Sequence, residues 1–84
     1  MDNLQARIRD IIAVELQLDA DKVVPDANLR QDLGMDSVAA LNILFAAEET
    51  FGIGAIDVAE LAKVATVADV ETLVREHVAL LRAS

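Results

Sequence analysis

Residues 32–38 read Asp-Leu-Gly-Met-Asp-Ser-Val and mark the point where a long polar segment gives way to an apolar one. Gly34 permits a tight backbone turn. Asp36 is a favoured residue at a helix N-cap, which leaves Ser37 in the first helical turn. The stretch therefore predicts a second helix that begins at Asp36 or Ser37 and runs to about Phe51.

The chain before this stretch predicts one helix followed by a long loop. Apolar side chains recur there at helical spacing, and the pattern fades near Leu18. Residues 19–35 contain four Asp, an Asn, Pro25 and Gly34, which is typical of a loop. Leu29 and Leu33 are four residues apart, so we expect a short helical turn there that anchors the loop to the core. The apolar positions of the first helix are Leu4, Ile8, Ile11, Ile12 and Leu16.

The chain after the second helix predicts one short helix and one long helix. Gly52 and Gly54 are stop signals for the second helix. Residues 57–63 read as the short helix, with Asp57 as its cap. Thr66, three residues before Asp69, opens the last helix. The apolar face of that helix is Val70, Leu73, Val74, Val78 and Leu81.

The predicted fold class is therefore all-α. We expect a small antiparallel bundle of three main helices plus one short helix, with a long loop between the first two, and no strand. Residues 1–84 are too few for more than one domain. With only Phe45 and Phe51 as aromatic residues, the core must be mostly aliphatic, and both phenylalanines are expected in it.

Composition excludes several kinds of site. Fifteen acidic and seven basic residues give a net charge of -8, which disfavours binding to nucleic acid phosphates. The chain has no Cys and one His, so thiol nucleophiles, thiolate zinc sites and His-rich metal sites are not expected. No apolar run approaches the roughly 20 residues of a membrane span, and the first ten residues do not resemble a secretory signal. These features favour a cytoplasmic protein.

The second helix is apolar on nearly every side. Nine of the ten residues from 38 to 47 are apolar, and Asn42 is the exception. A surface helix normally has a polar face, so this helix needs a partner, a ligand or more core to cover it. The alternative is that its alanines are helix formers that tolerate solvent. The sequence leaves both interpretations open.

Ser37 is the most informative single residue. A helix N-terminus presents free backbone N–H groups and a positive dipole end, which favours a phosphate ester on a hydroxyl at that place. The single His lies 40 residues further on, so nothing nearby in the sequence activates Ser37 as a nucleophile. Ser37 therefore reads either as a site modified by another enzyme or as an ordinary part of a helix cap.

A resemblance favours the first interpretation. The run from Asp32 to Val38, followed by Leu41 and by Glu-Glu-Thr-Phe-Gly-Ile at 48–53, resembles the acyl carrier protein family over about the whole chain. The resemblance implies that a separate phosphopantetheinyl transferase, using Mg²⁺, attaches 4′-phosphopantetheine to Ser37. Asp36 matches the aspartate that precedes this serine in the family. The resemblance further implies a non-enzymatic carrier that holds acyl groups as thioesters on the arm.

The sequence departs from the family in the second helix. Val38 stands in place of the usual Leu, and Ala39 and Asn42 stand where fatty-acid carriers commonly have acids. We therefore expect specialised acyl-transferring and acyl-modifying enzymes with basic or apolar docking patches. The stretch between residues 31 and 62 has six acids and no basic residue, which suits basic partners. The predicted partner-binding residues are Met35, Val38, Ala39, Asn42, Glu48 and Glu49.

Further expectations concern the cargo and the remaining polar residues. A bound acyl chain could occupy a space between helices, and its predicted lining is Leu41, Leu44, Phe45 and Ile56. Arg30 is expected to pair with Asp32 or Asp26, and His77 to lie at an edge of the helix packing. A peptidyl or aminoacyl carrier, and an unmodified adaptor with the same fold, are the alternative functions. A free carrier is expected to be a monomer.

Overall fold

Four α-helices follow one another in the computed structural model, which describes residues 3–83. They are α1 (Leu4–Leu16), α2 (Ser37–Phe51), α3 (Val58–Leu61) and α4 (Val67–Ala83). A 3₁₀ turn at Ala20–Lys22 lies in the loop between α1 and α2. Within residues 3–83 the β-type pairing is limited to an isolated bridge between Asn28 and Thr66. The predicted all-α bundle of three main helices and one short helix is confirmed.

The core is aliphatic and draws on all three long helices. From α1, Ile8 and Ile12 are completely buried, and from α4, Val67 and Val74 are 1% exposed. Burial of side chains of this size contributes roughly 1.5–3 kcal/mol each to folding, before the entropy cost of ordering the chain. The buried residues of α2 are Ala40, Ile43, Leu44 and Ala47.

Only one face of α2 is covered by the rest of the chain. The expectation that Phe45 lies in the core is wrong, since the side chain is 57% exposed. Phe45 follows the buried Leu44, and one residue turns the helix by about 100°, which points the ring away from the core. Val38 and Leu41 are exposed on the same side of the helix. We call these three residues, Val38, Leu41 and Phe45, the apolar stripe.

The end of α4 also differs from the prediction. Leu81 was expected to continue the buried face of α4 but is half exposed. The last residue of α4 that packs against the core is Val78, so the final turn extends past the part of the helix that the core covers. None of the helices among residues 3–83 is long and apolar enough to cross a membrane.

The long loop is fastened to the beginning of α4. The Leu29 N–H donates to the Ala65 carbonyl at 2.9 Å, and the Val67 N–H donates to the Ala27 carbonyl at 3.1 Å. The predicted helical turn forms as one hydrogen-bonded turn, in which the Asp32 N–H donates to the Asn28 carbonyl at 2.9 Å. The Leu29 side chain is 1% exposed. The loop is therefore ordered by core burial and by backbone bonds together.

Reciprocal capping bonds fix the beginning of α4. The Asp69 carboxylate accepts from the N–H groups of Ala65 and Thr66, and the Thr66 hydroxyl accepts from the Asp69 N–H. The two backbone donors hold the pKa of Asp69 below its ordinary value. The cap positions Ala65, whose carbonyl receives the bond from the loop. The predicted opening of the last helix at Thr66 and Asp69 is thus confirmed.

We predict that Leu29→Ala lowers the free energy of unfolding by about 2–5 kcal/mol, because it leaves a cavity where the loop meets the core. Urea unfolding followed by circular dichroism measures this. Leu80→Ala is the matched control, since Leu80 is 67% exposed and its truncation should change the stability by less than about 0.5 kcal/mol. Equal effects of the two substitutions would contradict the role given to Leu29.

Candidate functional site

Ser37 is the first residue of α2, and its side chain is exposed. Among residues 3–83 the structure shows no hydrogen bond to its hydroxyl. The N–H groups of the first helical turn have no partner within the helix and point toward this end. Ser37 therefore presents a reachable hydroxyl at the positive end of the helix dipole.

The backbone before Ser37 is held by a turn and a buried anchor. Gly34 has a φ of +73°, a left-handed conformation that glycine adopts without steric cost. The Met35 N–H then donates to the Leu29 carbonyl at 2.8 Å. The expectation that Met35 contacts partners at the surface is wrong, because its side chain is buried in the core. Met35 instead fixes the point from which α2 departs.

Asp36 is the N-cap of α2, as predicted. Its Oδ1 accepts a hydrogen bond from the Ala39 N–H at 2.7 Å, and its backbone carbonyl accepts from the Ala40 N–H at 2.9 Å. The backbone of Asp36 is extended, as is usual for an N-cap, and the helical conformation begins at the next residue. Asp36 thus sets the direction in which the Ser37 side chain leaves the helix.

A cleft of about 180 Å³ opens beside Ser37, between α2 and α3. Arg30 lines one side of it, which the sequence did not predict. Arg30 makes no ion pair with Asp32, Asp26 or any other residue between 3 and 83, so the expected local pair is wrong. Asp32 instead bonds the Asn28 N–H through its carboxylate, at 2.8 Å. The remaining residues around the cleft are Ser37, Ala40, Leu41, Val58, Leu61 and Ala62.

The structure does not gather the four predicted acyl-contacting residues around this cleft. Leu41 lines it, whereas Leu44 and Ile56 are buried in the core and Phe45 faces solvent. On the α3 side, the cleft is lined by Val58, by Leu61 and by Ala62, which directly follows the helix. Hydrophobic spacing could not show which face of such a short helix turns toward α2.

The predicted partner-binding residues fall into three groups. Val38, Asn42 and Glu49 are exposed, and Ala39 is half-buried, so these four remain on the accessible surface of α2. The carboxylate of Glu48 is already engaged, since it accepts from the Ile56 N–H at 2.7 Å. Glu48 therefore holds the connection between α2 and α3, and Met35 lies in the core.

His77 lies away from Ser37 and has a partner of its own. Its Nε2 is 3.2 Å from Oε2 of Glu60, and this contact joins α4 to α3. The side chain is about one-fifth exposed, which confirms the expected position at an edge of the packing.

Comparison with known proteins identifies the kind of site. The family model described as a phosphopantetheine attachment site matches residues 6–74. The acyl carrier protein of Thermosynechococcus vestitus is 37% identical over 73 residues, which span 87% of this chain and 89% of that protein. The acyl carrier protein of Zymomonas mobilis is 35% identical over 77 residues, which span 92% of this chain and 97% of that protein. The chain belongs to the acyl carrier protein family.

We predict that Asp36→Ala lowers the free energy of unfolding by about 1 kcal/mol, because it removes the side-chain acceptor for the Ala39 N–H. Asp36→Asn is the matched control, since asparagine caps helices about as well as aspartate. Hydrogen exchange should be faster at the Ala39 amide in the alanine variant alone. Unchanged exchange at this amide in Asp36→Ala would contradict the capping role.

Proposed function

We propose that this chain is an acyl carrier domain, spanning residues 1–84, whose 4′-phosphopantetheine arm is attached to Ser37. The observation that carries the proposal is an exposed serine at the first position of α2, within a chain that matches a phosphopantetheine attachment family over residues 6–74. Acyl carrier proteins are in general non-catalytic carriers. We propose the same for this chain, so that other enzymes perform the chemistry on its cargo.

The surroundings of Ser37 suit a phosphodiester. The hydroxyl is accessible, and the dipole of the fifteen-residue helix α2 favours negative charge at this end. The Arg30 guanidinium borders the same cleft, and arginine matches phosphate geometry well. The nearby Asp36 carboxylate is exposed to solvent, which weakens its repulsion toward a phosphate. When bound, the arm supplies a thiol that carries acyl groups as thioesters.

The attachment step requires a transferase. The Ser37 oxygen would form the new bond to phosphorus, the pyrophosphate bond of coenzyme A would break, and the adenosine bisphosphate part would leave. The hydroxyl proton must go to a base, and no residue between 3 and 83 is hydrogen-bonded to this hydroxyl. The absence of a base at the Ser37 hydroxyl within residues 3–83 therefore supports modification by a separate phosphopantetheinyl transferase.

The apolar stripe of α2 is the proposed docking surface for that transferase and for acyl-transferring and acyl-modifying enzymes. Val38 is 68% exposed and adjoins Ser37, and Asn42 and Glu49 supply polar groups beside the stripe. Apolar side chains of this size give binding energy when a partner removes them from water. We therefore propose partners whose patches combine apolar surface with basic residues, from fatty-acid, polyketide or related acyl biosynthesis.

The experiment that tests the site is intact-mass spectrometry after incubation with coenzyme A, Mg²⁺ and a broad-specificity phosphopantetheinyl transferase. The unmodified chain should gain one phosphopantetheine, and Ser37→Ala should gain none. Ser84→Ala is the matched control because Ser84 is the only other serine in the sequence, and it should gain one. Val38→Gln should be loaded about tenfold more slowly, since it removes apolar docking surface.

A folded Ser37→Ala variant that still gains phosphopantetheine would show that the arm is attached elsewhere. Failure of the unmodified chain to gain mass, with its circular dichroism intact, would favour the unmodified adaptor. Loading that proceeds normally in Val38→Gln would contradict the docking role of the stripe.

We further propose that the cleft beside Ser37 receives the beginning of the acyl chain. The cleft has a volume of about 180 Å³, which has room for a short stretch of hydrocarbon and not for a long chain. Leu41 and Val58 supply apolar walls. Leu44 and Ile56 are buried in the core, so an acyl chain could reach them only if the helices moved apart. Phe45 contributes to docking and not to this cleft.

We predict that loading a six-carbon acyl group shifts the NMR methyl signals of Leu41 and Val58 relative to the protein carrying the free thiol. Leu80, which lies outside the cleft, supplies the control methyl signals and should not move. An acyl chain that stays in solvent would leave Leu41 and Val58 unmoved as well, and this result would rule the proposal out.

A further inference from the structure

A second, larger cleft lies where the start of α1, the end of α2 and the end of α4 meet. Its volume is about 620 Å³. Phe51 reaches it from the last residue of α2, and α2 carries Ser37 at its other end. A helix of 15 residues is roughly 20 Å long, so this cleft is well separated from the serine. It is called the arginine cleft below.

The arginine cleft concentrates positive charge in an acidic chain. Arg7, Arg75 and Arg82 line it, and these are three of the seven basic residues in a sequence of net charge -8. No acidic residue between 3 and 83 lines it. The guanidinium groups of Arg7 and Arg82 thus favour an anion at one place.

The floor of the arginine cleft is apolar, whereas its rim is charged. Leu4 is buried, Phe51 and Val78 are half-buried, and the three arginines are exposed. A ligand that fits must therefore carry negative groups around an apolar one. Guanidinium groups bind carboxylates in a bidentate manner, which adds geometric selection to charge.

The same observations argue against a membrane or a nucleic acid as the occupant. The apolar side chains lie below the arginines and do not project, so a flat bilayer surface would meet the rim alone. A bilayer or a nucleic acid also extends beyond the cleft, so its phosphates would meet the acidic remainder of a chain of net charge -8. A narrow protein segment can enter the cleft and avoid the acidic remainder of the surface.

We propose that the arginine cleft docks an acidic segment of a partner protein, in which carboxylates flank an apolar side chain. The apolar side chain would rest on Phe51 and Val78, and the carboxylates would meet Arg7 and Arg82. This docking site is independent of phosphopantetheine on Ser37.

The test is an NMR titration of the full ¹⁵N-labelled chain with the capped peptide acetyl-Glu-Leu-Glu-Glu-Leu-amide. Saturable shifts are expected at Arg7, Phe51, Val78 and Arg82, with roughly millimolar affinity because the peptide is short and flexible. The Arg7→Gln/Arg82→Gln variant should bind about tenfold more weakly. Lys22→Gln/Lys63→Gln makes the same change in net charge outside the cleft and should bind as the parent does.

Three further arms of the titration test whether the cleft selects carboxylates on a peptide. The peptide with Gln in place of Glu should not produce the shifts, and higher ionic strength should weaken those of the acidic peptide. Inorganic phosphate and anionic phosphatidylglycerol vesicles should not reproduce them. The proposal is overturned if the acidic peptide gives no saturable shifts, if the two double variants lose binding equally, or if phosphate or vesicles bind there instead.

Discussion

The backbone bonds of Leu29 connect the two halves of the structure. Its N–H donates to the Ala65 carbonyl at the start of α4, and its carbonyl accepts from the Met35 N–H immediately before the α2 cap. Its side chain is fully within the core. One residue therefore fixes the long loop to α4 and sets the point from which α2 departs. The position of Ser37 depends on these two backbone bonds of Leu29, although the Ser37 side chain itself is exposed.

A long loop would ordinarily be a poor support for a site, because ordering it costs conformational entropy. Here Val23, Ala27 and Met35 are buried along it and join the same core as the helices. Polar side chains also close the loop, since the Asn28 side chain accepts from the N–H groups of Arg30 and Gln31. The loop thus gains apolar burial and satisfied backbone groups that offset the cost of order. The ordered loop therefore keeps the start of α2 in place while Ser37 stays exposed.

Local signals in the sequence predicted the helices and the cap well. Asp36 and the pair Thr66 and Asp69 act through hydrogen bonds to residues near them in the chain, and Gly34 acts through its own backbone conformation. These patterns can therefore be recognised before the fold is known. The failures concern the direction of side chains. The packing of the loop and of α2 decides that Met35 is buried and Phe45 is exposed. The apolar character of these two side chains does not by itself predict which of them is buried. The place of Arg30 beside Ser37 depends on how the turn at residues 28–33 folds back.

The distribution of charge gives α2 two different ends. The end of α2 at Ser37 combines Val38, the first residue of the apolar stripe, with the acid Asp36, and about 20 Å away Phe51 at the other end meets the arginine cleft. A partner bound in that cleft would leave Ser37 accessible, because the two sites lie at opposite ends of one helix. The rigid helix would also fix the distance between them, as a flexible tether would not. An enzyme held at one end through its acidic segment would therefore have a raised effective concentration near Ser37, the proposed attachment site of the arm, at the other end.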